Sequence, residues 1–150
     1  MGSTTSTATN AVLLLDTHVW LWSAHGDSRR VGRRARQLLA KAESAGNLRV
    51  SPVTLFELTA LHSLGRLRLT RAPDEWIREA LDAGGIRIAE LSPRIAMDAG
   101  TIPRTALSDP LDRLLVATAQ HLQATFLTSD TSVLDFAAAT GQVRVQNAGR

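Results

Sequence analysis

The chain has 150 residues, 44% of them apolar, which is enough for one domain with a single sizeable core but not for two. It contains no cysteine, so disulfides and thiolate metal sites are excluded, and this suits the reducing cytoplasm in which we expect it. The formal net charge is +3, and Lys41 is the only lysine, so almost all of the basic residues are arginines. The planar guanidinium group of arginine is well suited to binding phosphate, which makes nucleic acid a reasonable partner. The alternative is that the arginine content only reflects a GC-rich genome.

The polar segment 1–10 is expected to be a disordered leader, because it lacks the basic and apolar regions of a signal peptide. Residues 11–146 are expected to form the domain, and 147–150 a short frayed tail. No segment has the roughly 18 consecutive apolar residues of a membrane span, so we expect no membrane association.

From residue 11 onward, short apolar runs alternate with longer helical patterns. The predicted strands are, in chain order, AVLLL (11–15), LRVS (48–51), IRIAEL (86–91), ATFLTSD (124–130) and VRVQ (143–146). The predicted helices lie near 17–22, 30–45, 52–64, 73–84, 93–99, 108–123 and 131–139. This alternation predicts an α/β layered domain with a mostly parallel sheet of five strands.

Acidic residues occur where these strands end. Asp16 follows the first strand, Asp130 follows the fourth, Glu57 lies in the helix after the second, and Asp109 and Asp112 open the helix before the fourth. The working site of an open α/β sheet lies at the carboxyl ends of its strands, so these acids are expected to converge. Converging carboxylates repel one another unless a cation lies among them, and oxygen ligands favour Mg²⁺ or Mn²⁺. Such an ion, in a basic protein, indicates cleavage of a phosphodiester.

Each acid also has an ordinary structural explanation. Asp16 and Asp130 could cap the helices that follow them, and Asp109 before Pro110 is a typical helix start. Asp112, three residues later, resembles the second member of a capping box, and Glu57 could simply face solvent. These explanations are fair one by one but poorer together, because all the positions lie on one edge of the predicted sheet.

Four segments occur in order with natural spacing: LLLDTHVWLW, SPVTLFELTALHSLGRLRL, SDPLDRLLVATAQ and FLTSD. Together they resemble the four acidic motifs of PIN-domain nucleases, specifically VapC-type toxins, over about residues 12–136. The resemblance implies a three-layer α/β/α PIN-like fold. It also implies an acidic quartet that binds Mg²⁺ or Mn²⁺ and hydrolyses RNA.

The resemblance assigns both metal binding and catalysis to four acids: Asp16, Glu57, Asp112 and Asp130. It leaves Asp109 as either an additional ligand or a structural cap. Three further residues have supporting roles: Thr128 and Ser129 would place hydroxyls near the metal, and Arg113 would contact a phosphate or orient an acid. For Arg113 a salt bridge to Asp109 or Asp112 is an equal alternative.

The implied function is that of a metal-dependent endoribonuclease, the toxin of a toxin–antitoxin pair. Its implied partners are an RNA substrate, a cognate antitoxin protein and a second copy in a homodimer. The alternative is a non-catalytic PIN-like RNA-binding or regulatory module, against which the presence of all four acids argues. The segment LSPRIAMDAGTIPRTALSDP departs from the histidine-containing loop of many relatives, which leaves the choice of RNA open.

Overall fold

The computed structural model describes residues 11–150, and the expected leader at 1–10 lies outside the described residues. The strands are β1 (Leu13–Leu15), β2 (Leu48–Val50), β3 (Arg87–Ile88), β4 (Thr125–Thr128) and β5 (Arg144–Asn147). The helices are α1 (Thr17–Ala24), α2 (Arg33–Ala45), α3 (Pro52–Ser63), α4 (Pro73–Gly84), α5 (Pro93–Thr101), α6 (Pro110–Leu122) and α7 (Thr131–Thr140), with a 3₁₀ turn at Ser28–Arg30. Within residues 11–150 no helix combines the length and apolarity needed to cross a membrane.

The strands form one sheet in the order β3-β2-β1-β4-β5, and all four pairings are parallel. The prediction of a five-stranded, mostly parallel sheet is therefore confirmed. The chain builds β2 and β3 on one side of β1 and then crosses to build β4 and β5 on the other. The carboxyl ends of β1 and β4 are thus neighbours at the point where the strand order reverses, which is where open α/β sheets place their sites.

The two faces of the sheet carry separate cores, because successive strand residues point to opposite sides. Leu13 and Leu15 belong to a cluster that α1 to α4 complete, with Trp20 and Leu58 fully buried in it. Leu14 belongs to the cluster on the other face, which α6 and α7 complete. Helix α5 packs onto α6 through a smaller apolar cluster. The predicted three-layer α/β/α arrangement is confirmed.

The third strand is shorter than the predicted run 86–91. Only Arg87 and Ile88 pair with β2, which is itself three residues long. The Ala89 amide still donates to the Val50 carbonyl at 2.9 Å, and the chain then reaches Ser92, which caps α5. The strand therefore ends where its partner ends. The apolar pattern of residues 86–91 could not predict this, because it carries no information about the length of the neighbouring strand.

Residues 147–150 are not a frayed tail, and here the sequence-based expectation was wrong. Asn147 is the last residue of β5, and Ala148 is fully buried. The Ala148 carbonyl accepts from the Gly32 amide at 2.8 Å, and the Arg150 carbonyl accepts from the amide of Ala35 at 3.1 Å. Because Gly32 has no side chain to cap α2, the backbone of 148–150 satisfies amides at the start of that helix instead.

Candidate active site

The ends of β1 and β4 place two of the predicted acids side by side. Leu15 pairs with Leu127, and the Asp16 amide donates to the Leu127 carbonyl at 3.0 Å. Asp16 is the N-cap of α1, and Asp130 is the N-cap of α7. The capping explanation is therefore correct for both acids, and it is compatible with the predicted convergence, because both helices start at the same edge of the sheet.

Thr128 joins these two acids through one buried hydroxyl. Its Oγ1 donates to Asp16 Oδ2 at 2.5 Å and accepts from the Asp130 amide at 3.0 Å. The Thr128 side chain is fully buried at the end of β4. The hydroxyl thereby fixes the orientation of the Asp16 carboxylate relative to the start of α7.

Both oxygens of Asp16 are engaged within the protein. Oδ1 accepts from the Thr17 amide at 2.8 Å, and Oδ2 accepts from Thr128. Burial raises the pKa of Asp16; the hydrogen bonds from Thr128 and Thr17 oppose this rise, and the charge of Asp130 adds to it. Asp16 is thus a rigidly held carboxylate in a partly dehydrated position.

Glu57 is held by the buried Thr17, which is itself hydrogen bonded to the buried Thr54. Thr17 Oγ1 is hydrogen bonded to Glu57 Oε1 at 2.7 Å and to Thr54 Oγ1 at 3.2 Å. Burial raises the pKa of Glu57, and the charges of Asp16 and Asp109 add to the rise. Glu57 therefore does not simply face solvent: it points toward the other acids. Sequence reasoning missed Thr17 and Thr54, although one directly follows Asp16 and the other precedes Glu57 by one helical turn.

Asp112 differs from the other acids in having no internal partner. It is 8% exposed, and its carboxylate accepts no hydrogen bond from residues 11–150. Burial, followed by the charges of Asp130, Asp109, Asp16 and Glu57, raises its pKa to about 7. The capping-box explanation of Asp112 is thereby excluded, since its carboxylate does not bond to the Asp109 amide. Asp112 is the acid on which all the other charges of the cluster act.

Asp109 is an exposed helix cap. Its Oδ1 accepts from the Leu111 amide at 2.9 Å, which is the role typical of an Asp-Pro helix start. Its charge nevertheless raises the pKa of both Glu57 and Asp112, so it lies within electrostatic reach of them. The capping role is confirmed, while a role as an additional metal ligand stays a prediction.

The remaining predicted residues contribute less direct contacts. Arg113 forms no ion pair with Asp109 or Asp112; its Nη2 donates weakly to the Ser108 carbonyl at 3.4 Å, and its buried Nε has no partner among the described residues. Ser129 is exposed. A residue that sequence reasoning did not select, His18, lies close enough to Asp16 and Glu57 to lower the pKa of each.

The donor set suits a hard divalent cation. Burial and the charges of neighbouring carboxylates raise the pKa of Asp16, Glu57 and Asp112, and a cation among them would oppose that effect. Their oxygens are the ligand type that Mg²⁺ and Mn²⁺ prefer. In the described part of the chain no three acidic or histidine side chains are already gathered closely enough to enclose an ion. Binding would therefore draw the carboxylates together.

Comparison with known proteins gives the same fold and family. The PIN domain model matches residues 13–139. Over 108 residues the chain is 33% identical to Ribonuclease VapC22 of Mycobacterium tuberculosis, a match covering 71% of this chain and 78% of that protein.

Two solved structures are similar at low sequence identity and so bear on the fold alone. VapBC2 from Rickettsia felis, bound to a DNA fragment from its promoter, has a TM-score of 0.63 at 15% identity, covering 91% of this chain and 98% of that one. DNA-bound VapBC from Salmonella typhimurium has a TM-score of 0.62 at 16% identity, covering 91% and 97%. From the domain match and the identity to a VapC ribonuclease, the chain belongs to the PIN domain family and is a VapC-type member of it.

Proposed function

We propose that the chain is an endoribonuclease that depends on Mg²⁺ or Mn²⁺ and acts as the toxin of a toxin–antitoxin pair. The observation that carries this proposal is Asp112, a buried carboxylate without a hydrogen bond from any described residue, on which the charges of four other acids act. An unpaired buried charge is costly in free energy, and a divalent cation is the partner that would offset this cost at every acid of the cluster. The reaction, hydrolysis of RNA, is inferred from membership in the PIN domain family and from the similarity to a ribonuclease.

The ion would be held by Asp112 and Asp16, with Asp130 and Glu57 completing the site directly or through water. When bound, the ion would lower the pKa of a coordinated water and stabilise the negative charge that develops on the phosphate. Thr128 and Thr17 fix the orientation of Asp16 and Glu57, so the movement that closes the site around an ion would fall mainly to Asp112, whose carboxylate has no hydrogen bond to the described residues.

Glu57 has the environment of a general base. Thr17 fixes its Oε1, which leaves Oε2 to accept a proton from the attacking water. Burial and neighbouring carboxylates raise the pKa of Glu57, and a base is most effective when its pKa approaches the working pH. Its half-buried position keeps this proton transfer within the acid cluster.

Cleavage by the purified protein tests this function directly. Single-stranded RNA is incubated with the metal-stripped protein, and Mg²⁺ or Mn²⁺ is then added, with Ca²⁺ and an excess of EDTA as comparisons. We expect cleavage with Mg²⁺ or Mn²⁺ and none with EDTA. Cleavage that persists in EDTA would contradict the proposed metal dependence.

The toxin role is tested by expressing the chain alone in a bacterial host. The unmodified chain should arrest growth, whereas Asp16→Asn, which removes a charge from the acid cluster, should not. Equal arrest by both would favour the alternative, a binding module that sequesters RNA. The proposed antitoxin would act by covering the acidic edge, and an arginine there would compete electrostatically with the cation.

The expected homodimer is also part of the proposal. Phe56 is 61% exposed and Leu64 is 68% exposed, both from α3 and its end, and they offer apolar surface to a second copy. The molar mass in solution, measured for the unmodified chain and for Phe56→Ser, decides this. A monomer at high concentration would contradict it.

A further inference from the structure

A row of three side chains leads away from the acid cluster along α1. His18 lies in the first turn of the helix, next to Asp16, and Trp22 lies one turn further on, with the two ring centroids 6.1 Å apart. The Arg30 guanidinium carbon lies 5.6 Å from the centroid of the Trp22 ring. We call these three residues, His18, Trp22 and Arg30, the α1 track.

Trp22 is the tryptophan that the fold leaves accessible. Trp20 is 1% exposed and Trp76 is 8% exposed, whereas Trp22 is only half-buried and packs one side against the core. A cavity of about 120 Å³ adjoins it, with Val31 and Arg36 among its lining residues. The indole therefore presents both an aromatic surface and an adjacent recess to solvent.

The segment that follows carries positive charge without matching acids. Five exposed arginines lie within residues 29–36: Arg29, Arg30, Arg33, Arg34 and Arg36. In residues 11–150 only Arg30 among them forms an ion pair, to Asp27 at 3.1 Å. Segment 29–36 thus offers four guanidinium groups without an ion pair, of which Arg36 lines the same recess as Trp22, and guanidinium groups bind phosphate.

We propose that the α1 track binds an unpaired RNA strand and leads it into the acid cluster. An unpaired base would stack on Trp22 and Arg30, and neighbouring phosphates would lie against the arginines of segment 29–36. Aromatic rings and guanidinium planes together are the equipment that proteins use for single strands, and such stacking tolerates any base. A duplex has its base faces stacked internally and could not use the indole. This inference rests on the proposed ribonuclease function and deepens it by assigning the face of the protein along which the RNA strand reaches the acids.

Binding without turnover provides the test. A fluorescently labelled single-stranded RNA is titrated with the protein in EDTA, and fluorescence anisotropy gives the dissociation constant. Trp22→Leu, which keeps an apolar contact with the core, should weaken binding about tenfold, and Trp22→Phe should restore most of it. RNA should also quench the tryptophan fluorescence of the unmodified protein, and the Trp22→Phe variant should bind with much less quenching.

The arginine part of the track has a matched control on the other face of the sheet. The side chains of Arg30 and Arg94 are 62% and 63% exposed. Each forms one ion pair with an aspartate nearby in sequence, Arg30 with Asp27 and Arg94 with Asp98. Arg30→Gln should weaken binding and lower the salt slope of log Kd by about 0.7, the value expected for one phosphate contact on a single strand. Arg94→Gln should leave both quantities unchanged.

The outcomes separate this inference from the proposed function. If Trp22→Leu and Arg30→Gln bind RNA as the unmodified chain does, the inference is overturned and this face is left to a protein partner, whether or not the chain cleaves RNA. If both variants lose affinity and Trp22→Phe retains it, the inference holds, even should cleavage with Mg²⁺ never be observed. Thermal unfolding of each variant confirms that it is folded.

Discussion

Asp109 and Asp112 are three residues apart in the same helical start, yet their surroundings give them different chemistry. Asp109 is exposed and satisfied by the Leu111 amide, while Asp112 is buried and receives no hydrogen bond from the described residues. Metal binding should therefore depend on Asp112 far more than on its neighbour. Asparagine keeps the shape of either side chain and caps helices about as well as aspartate, so it isolates the effect of charge.

We accordingly expect Asp112→Asn to reduce Mg²⁺-dependent cleavage at least a hundredfold and Asp109→Asn to reduce it less than tenfold. Both variants should unfold cooperatively, as judged by circular dichroism. A reversed order of the two effects would show that the third metal-binding acid had been wrongly assigned.

The raised pKa of Asp112 also makes stability depend on pH. The folded protein holds this proton up to about pH 7, whereas an unfolded aspartate loses it near pH 4, so between these values the folded state binds more protons and stability falls as pH rises. In EDTA, Asp112→Asn should therefore stabilise the protein by at least about 1 kcal/mol above pH 7, and the gain should vanish below about pH 4.

Urea unfolding at a series of pH values measures this effect. Asp135→Asn, at an exposed position of α7, provides the control and should show no comparable gain. Added Mg²⁺ should stabilise the unmodified protein at pH 8 and stabilise Asp112→Asn much less. An Asp112→Asn gain that is the same at pH 4 and pH 8 would contradict the burial argument.

Thr128 is the residue whose role depends on a single hydroxyl. Thr128→Val removes the donor to Asp16 and the acceptor for the Asp130 amide, and leaves that buried amide unsatisfied. We expect cleavage to fall about ten- to a hundredfold, as is typical when a group that orients a metal ligand is removed. Thr128→Ser keeps the hydroxyl and should recover most of the activity in the same assay, which a purely steric role for Thr128 would not allow.

At the scale of elements, the sequence predicted where helices begin more reliably than how long the strands are. Ser51 with Pro52, and Asp109 with Pro110, predicted the starts of α3 and α6, because capping is a local property of a few residues. The length of β3 depends on its partner β2, which lies outside any local window. The same limit explains why Thr17 and Thr54 were missed: Thr17, on α1, bonds to Glu57 and to Thr54, which both lie on α3.

The contact between the start of α2 and residues 148–150 could not be predicted from any local sequence pattern either. It can be tested by substitution. A Cβ built at Gly32 would lie 2.3 Å from the Arg150 backbone nitrogen, although the φ of −70° at Gly32 suits alanine. Gly32→Ala should therefore destabilise the protein by about 1–3 kcal/mol through steric overlap alone.

Gly100 is the matched control for this substitution. It lies in α5 with nothing within 4 Å of a built Cβ, so Gly100→Ala should stabilise by up to about 1 kcal/mol through helix propensity. Urea midpoints of the two variants give the comparison. A Gly32→Ala protein as stable as the unmodified chain would mean that residues 148–150 do not hold this position in solution.

At the scale of the whole molecule, the alternation of short apolar runs with helical patterns predicted the layers, and the edge rule predicted that Asp16 and Asp130 would lie at the same edge of the sheet. Whether all four acids meet around one ion stays a prediction. The order of the strands was beyond that reasoning, because periodicity records which face is buried and not which strand is adjacent. The α1 track was also beyond it: Arg30 joins His18 and Trp22 only because the 3₁₀ turn at Ser28–Arg30 folds back on α1.

The pairing of β1 with β4 joins parts of the chain that a ribosome makes at very different times. Asp16 and the Thr128 hydroxyl that orients it are 112 residues apart in sequence. A growing polypeptide that has passed α1 but ends before β4 has Asp16 but lacks β4, Asp130 and the start of α7. The proposed nuclease would therefore be silent throughout most of its own translation, and a protease cut between β1 and β4 followed by loss of either piece would silence it again.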